Sequence, residues 1–122
     1  MKVLISTNIA RYIFAAVIVF FALAHFGNAE AMSAMLPAGG PIVIYLTGAT
    51  LILAAVAFFI NKQVRLAGYL LAAQLLLTAF LVQMMGMMGA EDEMMKMNFM
   101  AQFVKDIGMA MGAIAFANAA DS

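Results

Sequence analysis

Four stretches of this chain are apolar over the length of a bilayer crossing, and that leaves few folds open to it. They run from about 8–26, 42–60, 66–85 and 98–117. A helix rising ~1.5 Å per residue needs about 20 residues to cover ~30 Å of hydrocarbon. In lipid the backbone must satisfy its own hydrogen bonds, so segments of this kind cross as helices. Of the 122 residues, 67% are hydrophobic and 10% charged, against roughly 45–50% and 25% in soluble domains. The expected fold is therefore all-α: a single polytopic membrane domain over residues 1–122, built as a four-helix bundle. Only "INKQVR" separates the second and third spans, which makes them antiparallel neighbours. The second span is entered through "PAGGP", where Pro41 suits a first helical position.

The first span, with basic residues ahead of it and Ala29-Glu30-Ala31 after it, also has the pattern of a signal peptide. We read it as a retained transmembrane helix. Lys2, Arg11, Lys62 and Arg65 fall at the N-terminus and in the middle loop. The other two loops hold Lys96 among Glu30, Glu91, Asp92 and Glu93. The excess of Lys and Arg predicts cytoplasmic termini and a cytoplasmic middle loop. Tyr12, Tyr45 and Tyr69 fall near expected membrane surfaces, where such rings are enriched.

The last span, "FVKDIGMAMGAIAFA", poses a problem, because Lys105 and Asp106 lie inside it. Ionisable side chains within a membrane are costly unless paired or wetted. By helical rise, Lys105 sits roughly 10 Å from the outer end of the span. His25, Tyr45, Thr47, Thr50 and Thr78 fall in the outer halves of their spans, with Gln83 and Gln102, and Gln74 lies nearer the middle of its span. Neighbours on a helix point about 100° apart, so Lys105 and Asp106 are expected not to pair with each other. Asp106 is expected to reach another span, with His25 and Thr78 the best partners by depth. Such a cluster is either a buried network that fixes helix register or a polar pocket open to the outside. Gly108 and Gly112 form a G-x-x-x-G, expected to pack helices closely.

Other chemistries are poorly supported. Six basic and six acidic side chains cancel, leaving no footprint for nucleic acid. The chain has no cysteine, which excludes disulfides, thiol catalysis and thiolate metal sites. "MMGMMGAEDEMMKMNFM" holds eight methionines in the 17 residues Met84 to Met100. Thioethers suit Cu(I), but the stretch lacks histidine, so copper is not its expected use; an adaptable partner- or lipid-facing surface is. No metal site and no nucleophile–base pairing is visible, so catalysis by the chain alone is not expected.

Three motifs taken together resemble a known family. "AHF" at Ala24–Phe26 closes the first span, "LP…VIYLTG" runs from Leu36 through Gly48, and "FVKDIGMAMGAIAFA" forms the last span. Over nearly the whole chain this resembles the DoxX family of small four-helix bacterial membrane proteins. The matched positions are His25, Phe26, Gly48, Lys105 and Asp106. Many relatives carry a glutamate shortly after the glycine of the second span, where this chain has "GATLIL"; the counterpart is Leu51, so a role needing that carboxylate would not carry over. The resemblance implies a multi-pass protein of the bacterial cytoplasmic membrane, with partners among other membrane subunits or further copies of itself. The leading expectation is a non-catalytic accessory or assembly subunit of a larger membrane complex, of respiratory or redox type, with no cofactor of its own. The alternatives are a quinone-linked oxidoreductase subunit with a polar pocket in the outer leaflet, and a small oligomeric transporter.

Overall fold

A computed structural model describes residues 5–27 and 40–120. The Ala29-Glu30-Ala31 stretch, Glu30 of the first loop and Lys2 lie outside the described residues. Among those described there are four long helices and no strand. Helix α1 is Thr7–Gly27 and α2 is Gly40–Ile60. Helix α3 is Val64–Met88 and α4 is Glu93–Ala119. All four are long and apolar enough to cross a membrane, and the chain is a multi-pass membrane protein. The boundaries match the apolar runs, extended by a few residues where polar caps add turns. Asp92 caps α4 by accepting from the Met95 N–H at 2.7 Å.

Consecutive helices run antiparallel, so Thr7 and Ala119 lie at one end of the bundle, here termed the terminal end. Helix α1 packs on α2 and α3 on α4; α2 joins the two hairpins through α3. The α2–α3 turn is tight, with Asn61 and Gln63 at φ 57° and 56°, a left-handed conformation that costs a side-chain-bearing residue ~1–2 kcal/mol.

Small residues set the helix contacts. The buried stripe of α1 is Arg11, Ala15, Ile18 and Ala22; that of α4 is Asp106, Ala110, Ala113 and Ala117. Both follow the four-three-four spacing of one helix face. Towards the terminal end the core is closed by aromatic rings. Phe14 lies 5.6 Å from Phe58 and 5.3 Å from Phe116, centroid to centroid, over the buried Val64. A close backbone approach lies at Gly68, where an added Cβ would stand 2.7 Å from the Ala113 carbonyl oxygen. The G-x-x-x-G expectation divides. Gly112 lies under Phe14, at 3.1 Å from a built Cβ, whereas Gly108 faces open space. The α4 seam is the alanine stripe rather than a pair of glycines.

Polar groups at the terminal end tie helix ends together. Arg11 Nε donates to the Phe58 carbonyl at 2.8 Å and Nη1 to Asn8 Oδ1 at 2.7 Å, with the guanidinium over the Tyr12 ring. Arg65 donates to the Ala120 carbonyl at 2.7 Å, and Tyr69 donates to Asn118. The last carbonyls of a helix have no partner within it, so Arg11 and Arg65 satisfy the ends of α2 and α4 across helices.

Candidate functional site

Away from the terminal end the four helices enclose a cavity of about 480 Å³, within the ~300–1,000 Å³ range of small-molecule sites. Its walls are mostly apolar, with Phe20 and Phe21 from α1, Ile44 and Leu51 from α2, Leu75 and Leu81 from α3, and Phe99 and Met109 from α4. Seven polar side chains besides Asp106 line it: His25, Thr47, Gln74, Thr78, Gln83, Gln102 and the cation Lys105. Phe20, Leu77 and Leu81 border the cavity and are also largely exposed on the outer face of the bundle, so the site adjoins the lipid-facing surface.

Asp106 lies at the head of the α4 stripe and is 4% exposed. Contrary to the helical-wheel expectation, it pairs with its neighbour: Lys105 Nζ is 3.6 Å from Asp106 Oδ1. The directions of adjacent Cβ atoms do not decide this, because the four-carbon lysine stem folds back. The ammonium rests 4.2 Å from the centroid of the Phe21 ring and donates to Gln102 Oε1 at 3.2 Å. The pair is thus held by a cation–π contact from α1. The other polar side chains near the carboxylate are Gln83 of α3 and His25 of α1. Asp106 Oδ2 is buried and has no hydrogen-bond partner among the described residues.

Thr78, expected as a partner of Asp106, donates instead to the Gln74 carbonyl of its own helix at 3.0 Å. His25 Nδ1 lies 2.7 Å from the Phe21 carbonyl oxygen, which fixes the ring at the cavity edge. Thr50 donates to Gln74 Oε1 at 2.6 Å, and Gln74 Nε2 donates to the Thr47 carbonyl at 3.2 Å. These bonds join α2 to α3 along one wall. Thr47 turns its hydroxyl to the Val43 carbonyl. Tyr45 does not line the cavity; it is exposed and stacks on Phe26 at 6.1 Å. Gly48 admits the Phe26 ring and His25 at 3.1–3.3 Å from a built Cβ, so three of the motif residues, His25, Phe26 and Gly48, meet where α1 crosses α2. Leu51 is buried and lines the cavity, so the apolar residue at that position faces the same space as Asp106.

Two features had little sequence signal. Residues Ala79–Met84 of α3 form a π-helical segment, and such insertions favour functional sites. It carries Val82 and Gln83 on the cavity wall, and nothing in "AFLVQM" announces it. Phe21 is one of ten phenylalanines, and its role under Lys105 follows from packing alone. Gln83 and Gln102 were grouped by depth with the outer-half polar residues, but neither was expected as a partner of the Lys105–Asp106 pair.

Among the described residues, no group of three or more His, Asp or Glu side chains is arranged to hold a metal ion. The methionines at the end of α3 and the start of α4 do not line the cavity; Met85, Met88, Met94 and Met97 are exposed. No protein-family model, characterised protein or solved structure matches the chain.

Proposed function

We propose that this chain is a DoxX-like, quinone-linked subunit of a redox complex in the bacterial cytoplasmic membrane, and that its cavity holds the ring of a quinone. The observation that supports this reading is the cavity itself: apolar and aromatic walls, one charged pair at its side, and a border on the lipid-facing surface. Lipid-soluble rings reach a protein from the bilayer, and such a border gives them access. A bound quinone would supply two-electron redox chemistry. The chain's part is to orient it. Phe21 and Phe99 would flank a planar ring; Lys105 and Gln102 would donate to ring oxygens; Leu51, Leu75 and Met109 would exclude water. With Lys and Arg concentrated near the terminal end, both termini face the cytoplasm and the cavity lies in the outer leaflet.

The test is direct. Protein purified in mild detergent and extracted with organic solvent should release a quinone in a fixed ratio to the chain. A chain that carries none, and takes up no added decyl-benzoquinone, would refute the reading. Orientation is checked separately: a cysteine at Ala90 should react with an impermeant maleimide in intact cells, and reaction at Gln63 instead would invert it.

A second reading, an accessory or assembly subunit, rests on a different surface. Met88 and Met94 are more than three-quarters exposed, beside Met85 and Met97. Flexible thioethers of this kind adapt to partners. Gentle extraction would then bring other membrane proteins with the chain, whether or not quinone is present.

A further inference from the structure

One imidazole lines the cavity, and its hydrogen bonding decides which ring nitrogen carries the hydrogen. His25 Nδ1 lies 2.7 Å from the Phe21 carbonyl oxygen. A carbonyl only accepts, so Nδ1 is the N–H donor. In the neutral ring Nε2 is then left with a lone pair. Nε2 meets no partner among the described residues, yet it is not shut from the surface as Asp106 Oδ2 is. His25 and Lys105 both line the cavity, and Phe21 organises the two. Its carbonyl orients the imidazole, and its ring carries the Lys105 ammonium at 4.2 Å from the centroid. Phe21 and His25 are one turn apart on one face of α1, so an acceptor and a donor stand as neighbours on the cavity wall. Asp106 stands behind them, with Oδ1 3.6 Å from the ammonium.

We propose, resting on the quinone reading, that His25 is the residue that distinguishes the redox forms of the ligand: a ring hydroxyl of the hydroquinone donates to His25 Nε2, and the site binds the hydroquinone in preference to the quinone. A quinone carbonyl can only accept. It meets Lys105, but against Nε2 it sets one lone pair on another. A change of tautomer does not remove the mismatch, because moving the hydrogen to Nε2 would turn the Nδ1 lone pair toward the Phe21 carbonyl at 2.7 Å. Gly48 keeps the imidazole where it is, since the His25 Cβ already lies 3.3 Å from a Cβ built on that glycine. The same chemistry covers any ring alcohol of similar size, so the class of ligand is an amphipathic aromatic alcohol, with the hydroquinone its redox-active member.

The experiment uses the purified full-length protein in nanodiscs, anaerobically at about pH 8, where an imidazole is neutral, with isothermal titration calorimetry referred to empty nanodiscs. The ligands are decyl-benzoquinone, its hydroquinone, and the hydroquinone with both hydroxyls methylated. The hydroquinone is expected to bind about tenfold more tightly than the quinone, the scale of one net hydrogen bond. The dimethyl ether, which keeps the ring and tail but has no donor, should lose that gain. Equal binding of the two redox forms, tighter binding of the quinone, or equal binding of hydroquinone and dimethyl ether would overturn the proposal while leaving the quinone site standing. Binding of none of the three would remove the quinone reading and this proposal with it. His25→Asn, whose amide can still donate near the Phe21 carbonyl but has nothing in the place of Nε2, assigns the effect to the residue. The ratio of the two affinities should fall about fivefold or more, and a general weakening of the site does not move that ratio. An unchanged ratio, or loss of both ligands alike, would overturn the assignment to His25.

Discussion

Two buried charges sit at opposite ends of equivalent helix stripes, and their surroundings could hardly differ more. Arg11 opens the stripe of α1, and Asp106 opens that of α4. Both are less than 10% exposed. Arg11 has found partners within the fold: the Phe58 carbonyl, Asn8 and the Tyr12 ring. Around it the helices close on Phe14, Phe58 and Phe116, and on the Gly68–Ala113 contact. Asp106 has one ion-pair contact and one oxygen left over, beside a cavity. A buried charge whose hydrogen bonds are met by its own chain is part of what holds a bundle together. One whose hydrogen bonds are incomplete is a place where something else is expected to bind. The terminal half of the molecule is thus the scaffold, and the half around Asp106 is the site.

The sharpest way to break this division is at the aromatic closure. Phe58→Ala removes a 1% exposed ring from between Phe14 and Phe116, and should destabilise by about 3–5 kcal/mol. Leu77→Ala, at a cavity-lining and 60% exposed position, should stay within about 0.5 kcal/mol of wild type. Equilibrium unfolding in mixed micelles measures both, and similar losses would erase the distinction. Next in size is Arg11→Met, which keeps the apolar stem but leaves the Phe58 carbonyl without its donor; a loss of about 1–3 kcal/mol is expected in the same assay.

The glycines provide a finer contrast. Gly68→Ala forces a methyl against backbone at 2.7 Å, and overpacking of this kind costs about 1–3 kcal/mol. Gly108→Ala, on the next helix but facing open space, should stabilise by about 0.5–1 kcal/mol, because glycine is the poorer helix former. If both substitutions destabilise equally, the G-x-x-x-G is a seam after all, between this chain and another copy.

The fold was legible because its information is one-dimensional. Each helix is an apolar run, and its ends lie where polar residues begin, so α1 to α4 follow from hydropathy and length. Depth was legible in part: His25, Tyr45, Thr47, Thr50, Gln74, Thr78, Lys105 and Asp106 were grouped by helical rise, and all but Tyr45 and Thr50 line one cavity. Direction was not. Whether Lys105 turns to Asp106 depends on a flexible stem and on Phe21 from another helix. Whether Tyr45 enters the cavity depends on Phe26 claiming its face. Gln83 is presented by a π-helical segment, which shifts the angular register that a sequence pattern assumes. The seam of α4 was misplaced for a related reason: alanine at Ala110, Ala113 and Ala117 permits close packing as well as glycine does, and leaves no distinctive motif.

The most direct measurement of the division between scaffold and site is thermal unfolding of three purified proteins, wild type, Arg11→Met and Asp106→Asn, each with and without decyl-benzoquinone. Arg11→Met should melt at a lower temperature, yet gain as much from the ligand as wild type does. Asp106→Asn keeps the shape and removes the charge beside the part-exposed Lys105; it should stay within about 1 kcal/mol of wild type but gain less from the ligand. An undiminished ligand shift in Asp106→Asn, together with a melting temperature as low as that of Arg11→Met, would make Asp106 a structural residue and contradict the assignment of that half of the bundle as a binding site.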